Sequence, residues 1–183
     1  TQGKSTPCVF YHEARDIRTT VHGDDFTSLG DEEQLAWLRD QLMKRYDLKV
    51  RAVLGPEDHD DKSVRILNRV VTWTDEGIVY EPDQRHADII ISALGLGNGK
   101  GVTTPGVKES VNTEPETSAL SRDEAFQYRS LTMRGAYLAQ DRPDIQFAAK
   151  ELARGMEQPT KANWERLKRF GRYLVFQPRV VLM

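Results

Sequence analysis

The sequence predicts an α+β protein, an antiparallel sheet with packed helices followed by a helical segment. Three observations carry that expectation. Short runs of strand formers separated by turn residues fill the first part of the chain. An amphipathic stretch at 31–46 lies among them. From about residue 124 onward, helical periodicity bounded by capping residues replaces the strand patterns.

Pro7-Cys8-Val9-Phe10-Tyr11 is expected to form the first strand. Ile17-Arg18-Thr19-Thr20-Val21 and Phe26-Thr27-Ser28-Leu29 are the arms of a hairpin with His22-Gly23-Asp24-Asp25 at its tip. Gly and Asp suit that tip because both tolerate positive φ. Asp31 is placed to cap a helix over 31–46, with acids in its first turn and Lys44 and Arg45 in its last. Leu35, Leu38, Leu42 and Tyr46 give that helix one apolar stripe to lay on the sheet. Residues 48–54 alternate apolar and basic, the pattern of a half-buried strand. The acidic stretch 55–62 reads as a solvated loop, since it lacks calcium-loop spacing and the glycine of such a loop's sharp turn.

Two strands are expected at 64–74 and 77–80, then a helix from Pro82 to about Leu96 with Ile89, Ile90, Ala93 and Leu94 as its apolar face. Residues 98–123 are rich in Gly, Thr, Ser, Pro and Glu and read as a linker. A helix over 125–140 carries Phe126, Leu131, Met133, Tyr137 and Leu138. Asp141-Arg142-Pro143-Asp144 stops it and starts another, with Asp141 as cap and Pro143 in the first turn. That second helix ends at Gly155, and Thr160 caps a third, Lys161 to about Phe176, with Leu167, Phe170 and Leu174 apolar. The expected organisation is thus 1–97, a linker at 98–123, and 124–183.

Composition narrows the function classes. The chain has 183 residues, 38% hydrophobic and 30% charged, which suits a globular protein rather than a disordered tail. Its net charge of −2 gives no global basic signature, so any nucleic-acid contact has to come from a local patch. Cys8 is the single cysteine and has no internal disulfide partner, which fits a reducing compartment. No apolar run reaches the length of a membrane span, and no membrane partner is expected. No signal peptide is recognised, and both ends read as cut from something longer.

Two features point to chemistry. Asp24 and Asp25 put adjacent carboxylates at a β-bend, where a turn can aim them outward. Paired anions attract a cation, and oxygen-only donors favour magnesium or manganese over zinc. Plain turn chemistry explains the same residues, and short motifs carry a high false-positive risk. The last helix carries Lys161, Arg166, Lys168, Arg169 and Arg172 against Glu165, with Trp164, Phe170 and Tyr173 interleaved. Such a helix can track a phosphate backbone, or be an ordinary amphipathic helix with a solvated basic face.

The ordered landmarks resemble the reverse transcriptase of copia-type long-terminal-repeat retrotransposons over nearly the whole chain. Pro7-Cys8-Val9-Phe10-Tyr11 resembles the strand ahead of that family's polymerase motif. His22-Gly23-Asp24-Asp25 stands where the family has Tyr-Val-Asp-Asp, so His22-Gly23 is a departure. Leu54-Gly55 follows, as the family's Leu-Gly does after the palm helix. The more specific blocks come late: Tyr128-Arg129-Ser130-Leu131, Tyr137-Leu138-Ala139-Gln140, Arg142-Pro143-Asp144-Ile145, Pro159-Thr160, Trp164, Lys168-Arg169 and Arg172-Tyr173-Leu174.

The resemblance implies part of a right-hand polymerase: the later palm in 1–97 and a helical thumb or connection in 124–183. It implies Asp24 as the catalytic metal-binding carboxylate and Asp25 as a partner with a less direct role. It implies two Mg2+ or Mn2+ ions, about 3.5–4 Å apart in such enzymes. Its partners would be an RNA template, a DNA primer and deoxynucleoside triphosphates. The fingers and the ribonuclease H portion of the same polyprotein would lie outside the chain, so the isolated piece is expected to be inactive. The setting would be cytoplasmic, in a retroelement's virus-like particle, or nuclear. Two other readings stay open: a degenerate remnant binding nucleic acid or nothing, and an RNA-directed RNA polymerase sharing Gly-Asp-Asp. The late helical blocks speak against the last.

Overall fold

A computed structural model describes residues 1–107 and 116–181. The chain forms two compact units, Thr1–Arg51 and Ala52–Met183.

In the first unit β1 (Val9–His12), β2 (Ile17–His22) and β3 (Asp25–Leu29) form an antiparallel sheet in the order β1-β2-β3. The register pairs His12 with Ile17 and His22 with Asp25. Ile17, 2% exposed, is the only buried apolar residue of this unit among the described residues. On the same sheet face His12 meets the Trp37 ring edge-on at 5.3 Å, and Arg15 lies 4.0 Å from the centre of that ring. These contacts place helix α1 (Glu32–Met43) on the Ile17 face.

Two expectations change here. The helix ends at Met43, so Lys44, Arg45 and Tyr46 lie beyond its last turn, and Asp31 takes the N-cap position without a side-chain capping bond. Leu35, Leu38 and Leu42 are half-buried, while Tyr46 is 56% exposed. The strand expected over 48–54 is absent: Leu54 makes an isolated bridge to Asp61, and Val50 and Val53 are 46% and 47% exposed. Alternation identifies two faces, but a strand also needs a neighbour to satisfy its ladder.

The second unit opens with a loop. Lys62 Nζ donates to the carbonyls of Gly55, Pro56 and Glu57 at 3.0, 2.9 and 2.6 Å. A lysine ammonium therefore occupies the concavity of the acidic stretch 55–62. A second antiparallel meander follows: β4 (Ser63–Ile66), β5 (Arg69–Thr74) and β6 (Gly77–Pro82). The single strand expected over 64–74 is broken into two by Leu67 and Asn68, at φ 49° and 63°. Positive φ at both loop positions is the type I′ hairpin pattern. Asn tolerates that region, while Leu there is unusual and gave no turn signal.

Pro82 closes β6 rather than opening a helix, and α2 runs Arg85–Ala93 with the Asp83 carboxylate accepting the Arg85 backbone N–H at 3.0 Å. Of the expected apolar face Ile90 is buried, Ile89 and Leu94 are half-buried and Ala93 is exposed, and α2 also buries Ala87. Helices α3 (Arg122–Leu138), α4 (Gln146–Arg154) and α5 (Lys161–Phe176) complete the unit. Reciprocal capping boxes start two of them, Ser121 with Glu124 and Thr160 with Asn163. Phe126 and Met133 of α3 are 74% and 55% exposed, and its buried face is Tyr128, Leu131 and Leu138. These join Ile90, Ile145, Leu152, Leu167, Phe170 and Leu174 in one core.

That core spans both sides of the expected linker. Val102 and Leu120 pack against it, and their backbone N–H groups donate to Arg172 and Pro159 carbonyls at 3.3 and 3.0 Å. The division between compact units falls at 51/52 instead. Residues 108–115 of that stretch, and 182–183 of the expected last segment, lie outside the described residues.

Asp141 does not cap a helix. Its carboxylate accepts from Tyr80 OH at 2.6 Å and from Arg69 Nε at 3.0 Å, tying the meander to the helices. Beside it, Arg142 has no exposed surface. Its guanidinium donates to both Asp144 oxygens, at 2.9 and 2.7 Å, and to the Gln177 and Pro178 carbonyls. Tyr173 OH donates to the same carboxylate at 2.9 Å. Burial works to raise the Asp144 pKa, but the bonds from Arg142 and Tyr173 outweigh it and hold the carboxyl below its usual range. A depressed folded-state pKa contributes stability that is complete above the unfolded value, about 3.9, and is lost as pH falls through the folded one. The difference in urea midpoint between wild type and Asp144→Asn should therefore be constant from pH 7 to about 4 and shrink below it. A difference that grows on acidification would reverse the sign.

No helix among the described residues is long and apolar enough to cross a membrane.

Candidate metal and nucleic-acid sites

The hairpin that carries the aspartates is built by its register. Pairing of His22 with Asp25 leaves Gly23 and Asp24 as a two-residue loop. Gly23 has φ 62° and Asp24 does not have positive φ, the pattern of a type II′ turn with glycine at its first central position. Asp24 is therefore a loop residue with an exposed side chain, and Asp25 is the first residue of β3. Paired strand residues share a face, so Asp25 lies with His22, Thr20 and Arg18, opposite the face that α1 covers.

The two carboxylates differ in partners. Asp25 Oδ1 lies 3.3 Å from Arg51 NH2, with the two side chains 46% and 73% exposed. Asp24 takes part in no ion pair or hydrogen bond among the described residues. No group of three or more His, Cys, Asp and Glu suited to a metal ion occurs among the described residues. Asp24 and Asp25 are thus hard oxygen donors of the kind Mg2+ and Mn2+ prefer, but they are too few for a two-ion site by themselves. Asp16 is engaged elsewhere: the Tyr11 hydroxyl first, then the Arg18 guanidinium, hold its carboxyl below the ordinary range.

The basic residues of α5 are unequal too. Lys161 pairs with Glu116 at 3.3 Å and Lys168 with Glu165 at 2.8 Å. Arg169 is half-buried and donates to Thr104 Oγ1 at 2.8 Å. Arg166 is half-buried, and Arg172 is exposed. Glu165, the acid that the sequence sets against these residues, neutralises Lys168, while charge counting missed Glu116, which neutralises Lys161. It also missed Arg51, whose signal was the basic half of the alternation at 48–54.

No family model matches the chain, and no solved structure matches it. Among curated proteins, it is 30% identical over 166 residues to the retrovirus-related Pol polyprotein from transposon RE2 of Arabidopsis thaliana, covering 88% of this chain and 10% of that protein. It is 28% identical over 180 residues to the retrovirus-related Pol polyprotein from transposon TNT 1-94 of Nicotiana tabacum, covering 93% of this chain and 13% of that protein. The chain is related to transposon Pol polyproteins. It spans about a tenth of the length of these relatives, and the likeness runs across both compact units rather than around one motif. The resemblance to the copia-type Pol polyprotein is borne out at that level.

Proposed function

We propose that this chain is the later palm and the helical thumb or connection of a copia-type reverse transcriptase, an RNA-directed DNA polymerase. The observation that carries the reading is an exposed carboxylate, Asp24, at a two-residue hairpin loop in a chain related to transposon Pol polyproteins nearly end to end. In the intact parent, two Mg2+ or Mn2+ ions would supply charge neutralisation for nucleotidyl transfer from deoxynucleoside triphosphates to a DNA primer on an RNA template. This chain's own part is narrower. The type II′ turn holds the Asp24 anion clear of the sheet, and the Asp25–Arg51 pair fixes the first rung of β3 beside it. The remaining donors, the fingers and the ribonuclease H portion belong to other parts of the polyprotein. Its setting would be the virus-like particle in the cytoplasm, or the nucleus.

The pairing of Asp25 with Arg51, and of Lys161 and Lys168 with glutamates, favours a second reading. In it the chain is a degenerate remnant that retains the fold and has lost polymerisation. Primer extension separates the two. The intact parent polymerase should incorporate deoxynucleotides, not ribonucleotides, on an RNA template with Mg2+, while this chain alone incorporates none. An inert parent would leave the remnant reading standing, and incorporation by the isolated chain would show that its two aspartates suffice.

A further inference from the structure

We propose that His86 is an acid-sensitive latch between α2 and α3: when it takes up a proton, α2 loosens from α3. The inference is independent of the polymerase reading above.

His86 stands in the first turn of α2, half-buried, with its ring 4.8 Å from the Tyr137 ring of α3 and tilted 48° to it. Neutral imidazole suits that place better than imidazolium does. Nδ1 is buried and has no hydrogen-bond partner among the described residues. In the cation both ring nitrogens carry protons, so the charged ring would bury a donor without an acceptor. The first turn adds the positive end of the helix dipole. The charged groups that act on the ring are Arg134 of α3, Arg85 beside it on α2, and Asp83 just before the helix. Two of the three are cations. The anion is already matched: Asp83 Oδ1 accepts the Arg85 backbone N–H at 3.0 Å, and Oδ2 lies 3.3 Å from Arg65 NH1. The Tyr137 ring favours a cation, but it faces all of these. Burial first, then Arg134 and Arg85, hold the His86 pKa below its ordinary value of about 6.5, against a smaller upward pull from Asp83. The stability this contributes is complete above the unfolded value, about 6.5, and is lost as pH falls through the folded one. The helix that bears the ring is short and fully buries Ala87 and Ile90 alone, so a charge in its first turn has little packing to overcome.

The test follows this chain by NMR from about pH 7.5 to about pH 5, above the range in which Asp144 responds. The His86 ring proton should titrate with a midpoint below about 6.5. Over the same range the backbone amides of α2, corrected for intrinsic exchange, should lose protection by up to about tenfold per pH unit, the limit for one proton. Amides of α4 should keep theirs. His86→Phe, which keeps a ring that cannot titrate, should abolish the loss in α2. Arg134→Gln, which removes a flanking cation, should raise the midpoint and lessen the loss. Should His86→Phe fail to fold, His86→Gln takes its place, and the wild-type titration stands without either. A midpoint at or above about 6.5 would overturn the latch, as would a loss of protection shared equally by α4 or one that persists without the imidazole.

Discussion

Arg142→Ala is expected to destabilise the second unit by about 3–5 kcal/mol, the cost of removing one member of a buried ion pair. The size follows from what would be left behind. Asp144 would keep Tyr173 as a donor and lose both guanidinium bonds, and the Gln177 and Pro178 carbonyls would lose theirs. An uncompensated carboxylate in that place costs more than the pair's net contribution. Natural domains have stabilities of about 5–15 kcal/mol, so the variant should unfold at a far lower urea concentration, read by circular dichroism. Arg142→Ala/Asp144→Ala should cost clearly less than the two single losses added, since the orphan charge is gone. A single-variant loss within about 1 kcal/mol of zero would mean that water reaches the site as it reaches surface pairs.

Arg142 also shows how far the sequence could be read. The helices were legible because their signals are local. Thr160 and Gly155 mark a start and a stop, and Leu167, Phe170 and Leu174 recur on one face; all act where those residues stand. The hairpin at Gly23 was legible for the same reason. Signals that depend on distant partners failed. Residues 48–54 have the alternation of a strand and no ladder to join. Asp141 stands where a cap would and is claimed by Arg69 and Tyr80, far away in the chain. The turn at Leu67 has no glycine to announce it. Phe126 and Met133 look like core in a helix whose buried face is set by the residues opposite it. At the candidate site the sequence supplied the carboxylates and the basic helix, but not which charges are already matched. Glu165 lies one helical turn from Lys168, but Arg51 and Glu116 decide the rest, and nothing local ties those two to their partners.

That inequality leads to the second large effect. On the polymerase function proposed above, Asp24→Asn in the intact parent is expected to lower primer extension by about 10³-fold or more. Metal-borne charge stabilisation contributes several kcal/mol to such transfers, and about 4 kcal/mol corresponds to three decades. The substitution keeps the side chain's size and removes the anion from an exposed loop position, so the fold should be untouched and circular dichroism unchanged. Asp25→Asn should cost markedly less, because the charge it removes is already matched by Arg51. The ratio of the two losses is more telling than either loss alone. Equal losses would mean that the parent draws Asp25 away from Arg51 and uses both carboxylates alike. Retained synthesis in Asp24→Asn would remove that residue from the site and leave the bend as a turn and nothing more.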